Sequence, residues 1–429
     1  MIAYNAPMQS AVRTAAAGLI GNVLEWFDYA VYGYFATEIG KQFFPASMSA
    51  YHQLLFAYAV FWIGFAARPI GGLVFGPIGS LVLGSVGDRI GRRALLTLSI
   101  MVMGGATLAI GLLPTYESIG IAAPLLLVSL RLIQGFSLGG EFTGSMVYTT
   151  EVASPLVRGI VASSTAAGTT LGFILGSATS WIVNRTLGAP ASAAWGWRIP
   201  FIASVAFCIA GWLLRRGIHE SEQGKKAVAQ RAPIVQSLLS DWRPIVQTFG
   251  IVAMTNAAYY LAFTFAVERR KAESSTFQLV NTISLVVVLA FKVFGGWLSD
   301  RVGRRRLMIV LTIALMSTLY VGQRFMLYGA PATFFAGQLM LGIPLAMALG
   351  LQGAMVVEIF PLRTRVTSMS FAYSITLALA GGLAPIVATW LIDKVGSPTA
   401  PAFYVMAYGL VGLPLMLGMR ETNLRSLDD

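Results

Sequence analysis

Glu25 and Asp28 lie three residues apart in "GNVLEWFDYAVYG" (21–33), a stretch that otherwise has the composition of a hydrophobic helix. At that spacing two carboxylates share one helical face. Arg68, Arg131 and Lys292 fall inside apolar stretches in the same way. An ionisable group in hydrocarbon costs about 2.5–3.5 kcal/mol on insertion scales, so each should face a cavity or a partner. Burial favours the neutral form of a carboxylate and a neighbouring cation favours the charged form. A group poised between the two can load a proton on one side of a membrane and release it on the other. Asp28, with Glu25 second, is the leading candidate for that chemistry. The alternative is a permanent ion pair with Arg68 or Arg131 that never titrates.

Lys292 presents the complementary chemistry. Its flanks, "VVVLAF" and "VFGGWL", contain no acid. An ammonium there suits an anionic solute as its partner, unless it snorkels to the interface. On the stretch from Arg131 to Glu141, Gln134 lies within about 60° of Arg131 and within about 20° of Glu141, which makes a polar stripe on an apolar helix. Tyr29, Tyr259, Asn256 and Gln352 are further candidates to line a polar site, with Trp26, Tyr32, Tyr260, Gln278 and Tyr373 beside them.

Composition fixes the elements that must position these groups. Of 429 residues, 56% are hydrophobic and only 11% charged, too few to cover a water-facing surface. Twelve apolar runs follow one another, at 14–40, 53–87, 94–113, 121–147, 159–183, 198–216, 244–267, 277–299, 306–323, 331–357, 366–392 and 400–418. Each is about long enough to cross a hydrocarbon core as a helix. The runs do not alternate apolar and polar residues, which excludes a transmembrane barrel. The fold class is therefore an all-α membrane protein of twelve transmembrane helices.

The net charge of +12 raises the question of a nucleic-acid partner. With a cytoplasmic N-terminus, however, the even-numbered loops and both tails hold roughly nineteen of the thirty Lys and Arg, and the other side roughly eight. The charge is a topology signal that puts both termini inside, and no nucleic-acid partner is expected. The single cysteine, Cys208, rules out an internal disulfide and a thiolate metal cluster. His52 and His219 are isolated and read as loop residues. No phosphate-binding loop, nucleophile elbow or His/Cys cluster points to an enzyme, a metal or a cofactor. The first apolar run is too long for a cleavable signal peptide.

The chain also repeats itself. Gly84-x3-Asp88-Arg89-x-Gly91-Arg92-Arg93 returns 212 residues later as Gly296-x3-Asp300-Arg301-x-Gly303-Arg304-Arg305. "RLIQG" (131–135) is echoed by "GLQG" (350–353), and "EVASPLVR" (151–158) by "EIFPLRTR" (358–365). Three echoes in one order predict two six-helix bundles, residues 1–216 and 244–429, of the same orientation. Residues 217–243, the most polar long segment, read as a cytoplasmic linker.

These loop blocks, the run from Arg131 to Gly139 and the twelve-helix plan resemble the major facilitator superfamily. "GNVLEWFDYAVYG", "ARPIGGLVFG" (67–76) and "QGFSLGGE" (134–141) look like its metabolite:proton symporter family. The resemblance implies a proton-coupled symporter of a small organic anion, a carboxylate above all, working by alternating access as a monomer in the bacterial inner membrane. A proline- or betaine-type zwitterion is the second substrate class. A drug:proton antiporter and a non-transporting sensor stand further off.

Under that resemblance Asp28, Glu25 and Arg131 couple protons. Lys292, Arg68, Gln134, Tyr29, Tyr259, Asn256 and Gln352 face the substrate. Asp88, Arg92, Glu141, Glu151, Asp300, Arg304 and Glu358 form a cytoplasmic gate. One stretch departs from the pattern. "PIGGLVFG" (69–76) is copied at once as "PIGSLVLG" (77–84). The extra copy moves Arg68 from about 18 Å to about 30 Å from Asp88 along a straight helix. It also turns the facing by about 80°, so a break, strong tilt or bulge is expected at Pro69 and Pro77.

Overall fold

The computed structural model describes residues 21–73, 84–215, 234–423 and 427; the side chains of 73, 84–97, 214 and 215 lie outside that description. The side chains of Asp88 and Arg92 therefore lie outside the description, as do residues 77–83 of the copy at 77–84, His219 and linker residues 217–233.

Among the described residues there are twelve long helical segments and no strand. The first half contributes α1 (21–43, with a turn at Phe35), α2 (Ala50–Ala66 continued by Arg68–Leu73) and α3 (Gly84–Leu112). It continues with α4 (Ala122–Leu138 and Glu141–Glu151), α5 (Arg158–Ala191) and α6 (Arg198–Arg215). The second half contributes α7 (Trp242–Arg270), α8 (Thr276–Val302), α9 (Arg304–Tyr328), α10 (Pro331–Glu358), α11 (Arg365–Val395) and α12 (Pro401–Leu417). Eight of these, α2, α4, α5 and α7 to α11, are by themselves long and apolar enough to cross a membrane, and α3, α6 and α12 contain shorter apolar helices. A short helix, Ile234–Ser240, lies within the expected linker.

Local chemistry explains several boundaries. Ser49 caps α2 by accepting the backbone N–H of His52, so His52 stands in the first turn of a helix rather than in a loop. The apolar run hides this start because it begins only after His52. α2 breaks at Ala67, two residues before Pro69, whose ring nitrogen cannot donate to the preceding turn. α8 ends at Gly303, whose φ of 103° few other residues adopt.

The helices differ in how far they face inward. The apolar window of α7 is wholly buried, whereas only 39% of that of α8 is. α1 is buried along nearly its whole described length. Helices of the two sequence halves meet where α5 packs on α8 and α10, α4 on α10 and α11, and α2 on α11.

Within the first half, α2 and α4 touch backbone to backbone. A Cβ on Gly135 would come within 2.0 Å of the Gly64 carbonyl oxygen, and one on Gly139 within 2.1 Å of the Gly72 nitrogen. Small residues permit such approach between membrane helices. This contact brings Arg68 and Arg131 up to the same side of α1.

Candidate functional site

A cavity of about 30 Å³, room for roughly two waters, lies between the sequence halves. α1, α4 and α5 supply Trp26, Phe142 and Phe173, and α7, α8, α10 and α11 supply Asn256, Tyr259, Lys292, Gln352 and Tyr373. Lys292 is the one charged residue in this wall among the described residues. Its ammonium donates to the Ala166 carbonyl and to Thr169 Oγ1, both at 3.2 Å, and lies 5.0 Å from the centre of the Tyr259 ring. Gln352 accepts from Thr255 at 2.7 Å and donates to Tyr373 at 3.3 Å, which fixes its amide at the cavity edge.

Two buried ion pairs stand beside α1. Arg68 Nη1 is 2.6 Å from Glu25 Oε1, and Arg131 Nη1 is 2.5 Å from Asp28 Oδ2. Gln134 donates to the second oxygen of Asp28 at 3.1 Å and to Thr107 at 2.7 Å. Arg68 also donates to the Tyr29 hydroxyl and lies 4.5, 4.9 and 5.5 Å from the ring centres of Tyr29, Phe65 and Trp26. Arg131 lies 4.0 Å from that of Tyr32. Arg68, Gln134 and Tyr29 thus serve the acids of α1 and are not part of the cavity wall. Lys292, Tyr259, Asn256 and Gln352 are.

One face of the bundle carries a web of charge across the sequence halves. Asp300 accepts the backbone N–H groups of Gly159 and Ile160 at 2.7 and 3.0 Å, and pairs with Arg304 at 2.7 Å. Glu358 accepts from Arg304 and Arg158 at 3.3 Å, and Glu151 from Arg365 at 2.8 Å. Glu141 is buried higher in α4 and accepts from Ser99 at 3.4 Å. Residues after α12 join this web: Glu421 accepts the Arg304 N–H at 2.6 Å, and the Leu427 carbonyl accepts from Arg365 at 2.7 Å.

The opposite face is bridged as well. Lys271 sits 2.6 Å from Glu38 and 2.7 Å from Glu268, and donates to the Tyr34 carbonyl at 2.6 Å. Glu268 in turn accepts the Thr37 N–H at 2.8 Å. An uncharged ladder runs beside it from α5 to α8: Asn184 donates to Gln278, Gln278 to Ser180, and Asn281 to Ser177 and to Tyr34. Both faces are thus tied across the halves.

Arg158, Arg365 and the Glu38–Lys271–Glu268 cluster were not among the residues singled out from sequence. The arginines close the quoted "EVASPLVR" and "EIFPLRTR" echoes, and that repeat was the signal for them. The cluster lies in "TEIGK" and "VERRK" at the ends of apolar runs, where charge looks like ordinary topology.

Residues 14–233 match the family model described as "Sugar (and other) transporter", and residues 248–425 match that of the "Major Facilitator Superfamily". The proline/betaine transporter of Salmonella typhimurium is 32% identical over 432 residues, covering 97% of this chain and 84% of that protein. The citrate-proton symporter of Klebsiella pneumoniae is 34% identical over 403 residues, covering 92% and 88%. The partially occluded inward-open structure of the xylose transporter XylE from E. coli superposes with a TM-score of 0.71 at 17% identity, covering 96% of this chain and 98% of that one. At that identity the likeness bears on the fold alone. Helices, bridged halves and relatives agree: the chain belongs to the major facilitator superfamily, a multi-pass membrane transporter and not an enzyme.

Proposed function

We propose that the protein takes up a small organic carboxylate together with protons across the bacterial inner membrane. In this reading residues 1–216 and 244–429 rock against each other about the segment 217–243, and a single chain suffices. The web around Asp300, Arg304, Glu151 and Glu358 is the cytoplasmic gate, joined by Glu141, Asp88 and Arg92, with both termini on that side. The Glu38–Lys271–Glu268 cluster is its outer counterpart. Asp28 and Glu25, each held by an arginine, carry the proton.

The observation that carries the substrate class is Lys292. The arginines beside α1 already hold carboxylates, so the cavity wall offers one ammonium as an anion partner. That charge suits one carboxylate better than three. The relatives named above transport proline and betaine in one case and citrate in another, by their names. Five aromatic rings in the same wall favour the second reading, a zwitterion whose cationic end rests on rings while its carboxylate meets Lys292.

Uptake into proteoliposomes tests both. Glycine betaine, proline, citrate and monocarboxylates are offered with and without an imposed proton gradient. Wild-type protein is expected to accumulate at least one of them, driven by the gradient. K292Q should raise the Michaelis constant at least tenfold for any carboxylate carried. Unaltered kinetics in K292Q would remove Lys292 from the site.

A further inference from the structure

The proton candidates and the cavity are separate places, and one side chain belongs to both. Trp26 follows Glu25 directly, so the two project about 100° apart from α1. Glu25 meets Arg68, while the Trp26 ring forms part of the cavity wall and touches Phe142 edge-on at 5.5 Å. The Arg68 guanidinium carbon lies 5.5 Å from the Trp26 ring centre. Of the three rings around Arg68, Trp26 is the one that lines the cavity. Trp26 is 4% exposed, yet its indole N–H has no partner among the described residues. A buried donor without an acceptor is costly, and a carboxylate entering the cavity would supply one.

We infer that Trp26 is the positioning residue that couples the two sites: its N–H holds the substrate, and its ring passes the substrate's arrival to the Arg68–Glu25 pair. Seating the ring on the substrate changes its hold on Arg68 by a cation–π contact. Arg68 in turn strengthens or loosens its bond to Glu25, whose carboxylate takes a proton from water on one face and returns it on the other. The inference rests on the symport reading above.

The test uses the protein in liposomes, with glycine betaine, proline, citrate and monocarboxylates as probes. Initial uptake and internal acidification are recorded together, so that protons per substrate are counted. W26F keeps a ring beside Arg68 and deletes the N–H. It should raise the Michaelis constant about tenfold and keep the wild-type proton count. W26L removes the ring and should lower the proton count at least several-fold, while probe-for-probe exchange continues. A W26L protein with the wild-type count overturns the coupling role, and an unchanged Michaelis constant in W26F overturns the hydrogen bond. If W26L does not fold, W26M, which also removes the ring beside Arg68, takes its place, and a wild-type proton count in W26M overturns the coupling role. A wild type that moves none of these probes with protons overturns the symport reading, and this inference with it.

Discussion

The carboxylate of Asp300, at the end of α8, accepts the backbone N–H of Gly159, at the start of α5, at 2.7 Å. The first N–H groups of a helix have no partner within it, and the helix dipole favours negative charge there. Asp300 therefore caps a helix from the other half of the sequence, and parting the halves at this face uncaps α5. Arg304, 2.7 Å away, remains as a partner for Asp300 within its own half.

Removing that cap should open this face. A162C, placed in the cavity wall in a C208A background, reports access from either side. D300A is expected to speed labelling by an impermeant maleimide applied from the Asp300 face several-fold. An unchanged rate would mean that the cap does not hold the halves together.

The opposite face should respond with the opposite polarity. K271A leaves Glu38 and Glu268 side by side without their shared ammonium, and like charges in a buried site repel. The same A162C reporter should then label faster from the Lys271 face and more slowly from the Asp300 face. Faster labelling from both faces would indicate general loosening instead of a gate.

The pair at Asp28 separates stability from transport. Breaking a buried pair by removing one partner costs about 3–5 kcal/mol, because the other charge stays unpaired. D28N is expected to lose heat stability by an amount in that range, and D28N/R131Q to regain most of it. Neither should accumulate substrate against a gradient. Gradient-driven accumulation by the double variant would take the proton away from Asp28.

Glu421 predicts a pH dependence. Burial pushes its pKa up, but the backbone N–H groups of Arg305, Asn423, Arg304 and Arg306 outweigh this and hold it below the ordinary 4.5. A depressed folded-state value gives stability that is complete above pH 4.5 and is lost as pH falls through the folded value. E421Q should thus melt below wild type at pH 7 and converge on it in strong acid. Melting curves that coincide at pH 7 would rule out a role for the charge.

Much of this arrangement is legible in the amino-acid sequence. Charges at positions 25, 28, 68, 131 and 292 stood out because lipid tolerates so few, and the twelve runs located the helices. Which acid meets which arginine was not readable. Glu25 and Asp28 share a face, and the choice of Arg68 for one and Arg131 for the other depends on how α2 and α4 approach α1. A helical wheel placed Gln134 on a polar stripe but could not tell that its amide turns to Asp28 and not to the cavity. Ile234–Ser240 forms a helix inside what composition describes only as a polar connection.

The contact of Gly135 and Gly139 with α2 has a consequence for how such a protein can change over time. Main chain against main chain sets where positions 68 and 131 stand, independently of the sign of the groups placed there. A single charge reversal at 25 or 68 would set two like charges against each other on that fixed scaffold, so the two positions are expected to change together or not at all. The glycine contact thus fixes the architecture, and the buried charges on it are inherited as pairs, since the step that breaks one costs about 3–5 kcal/mol.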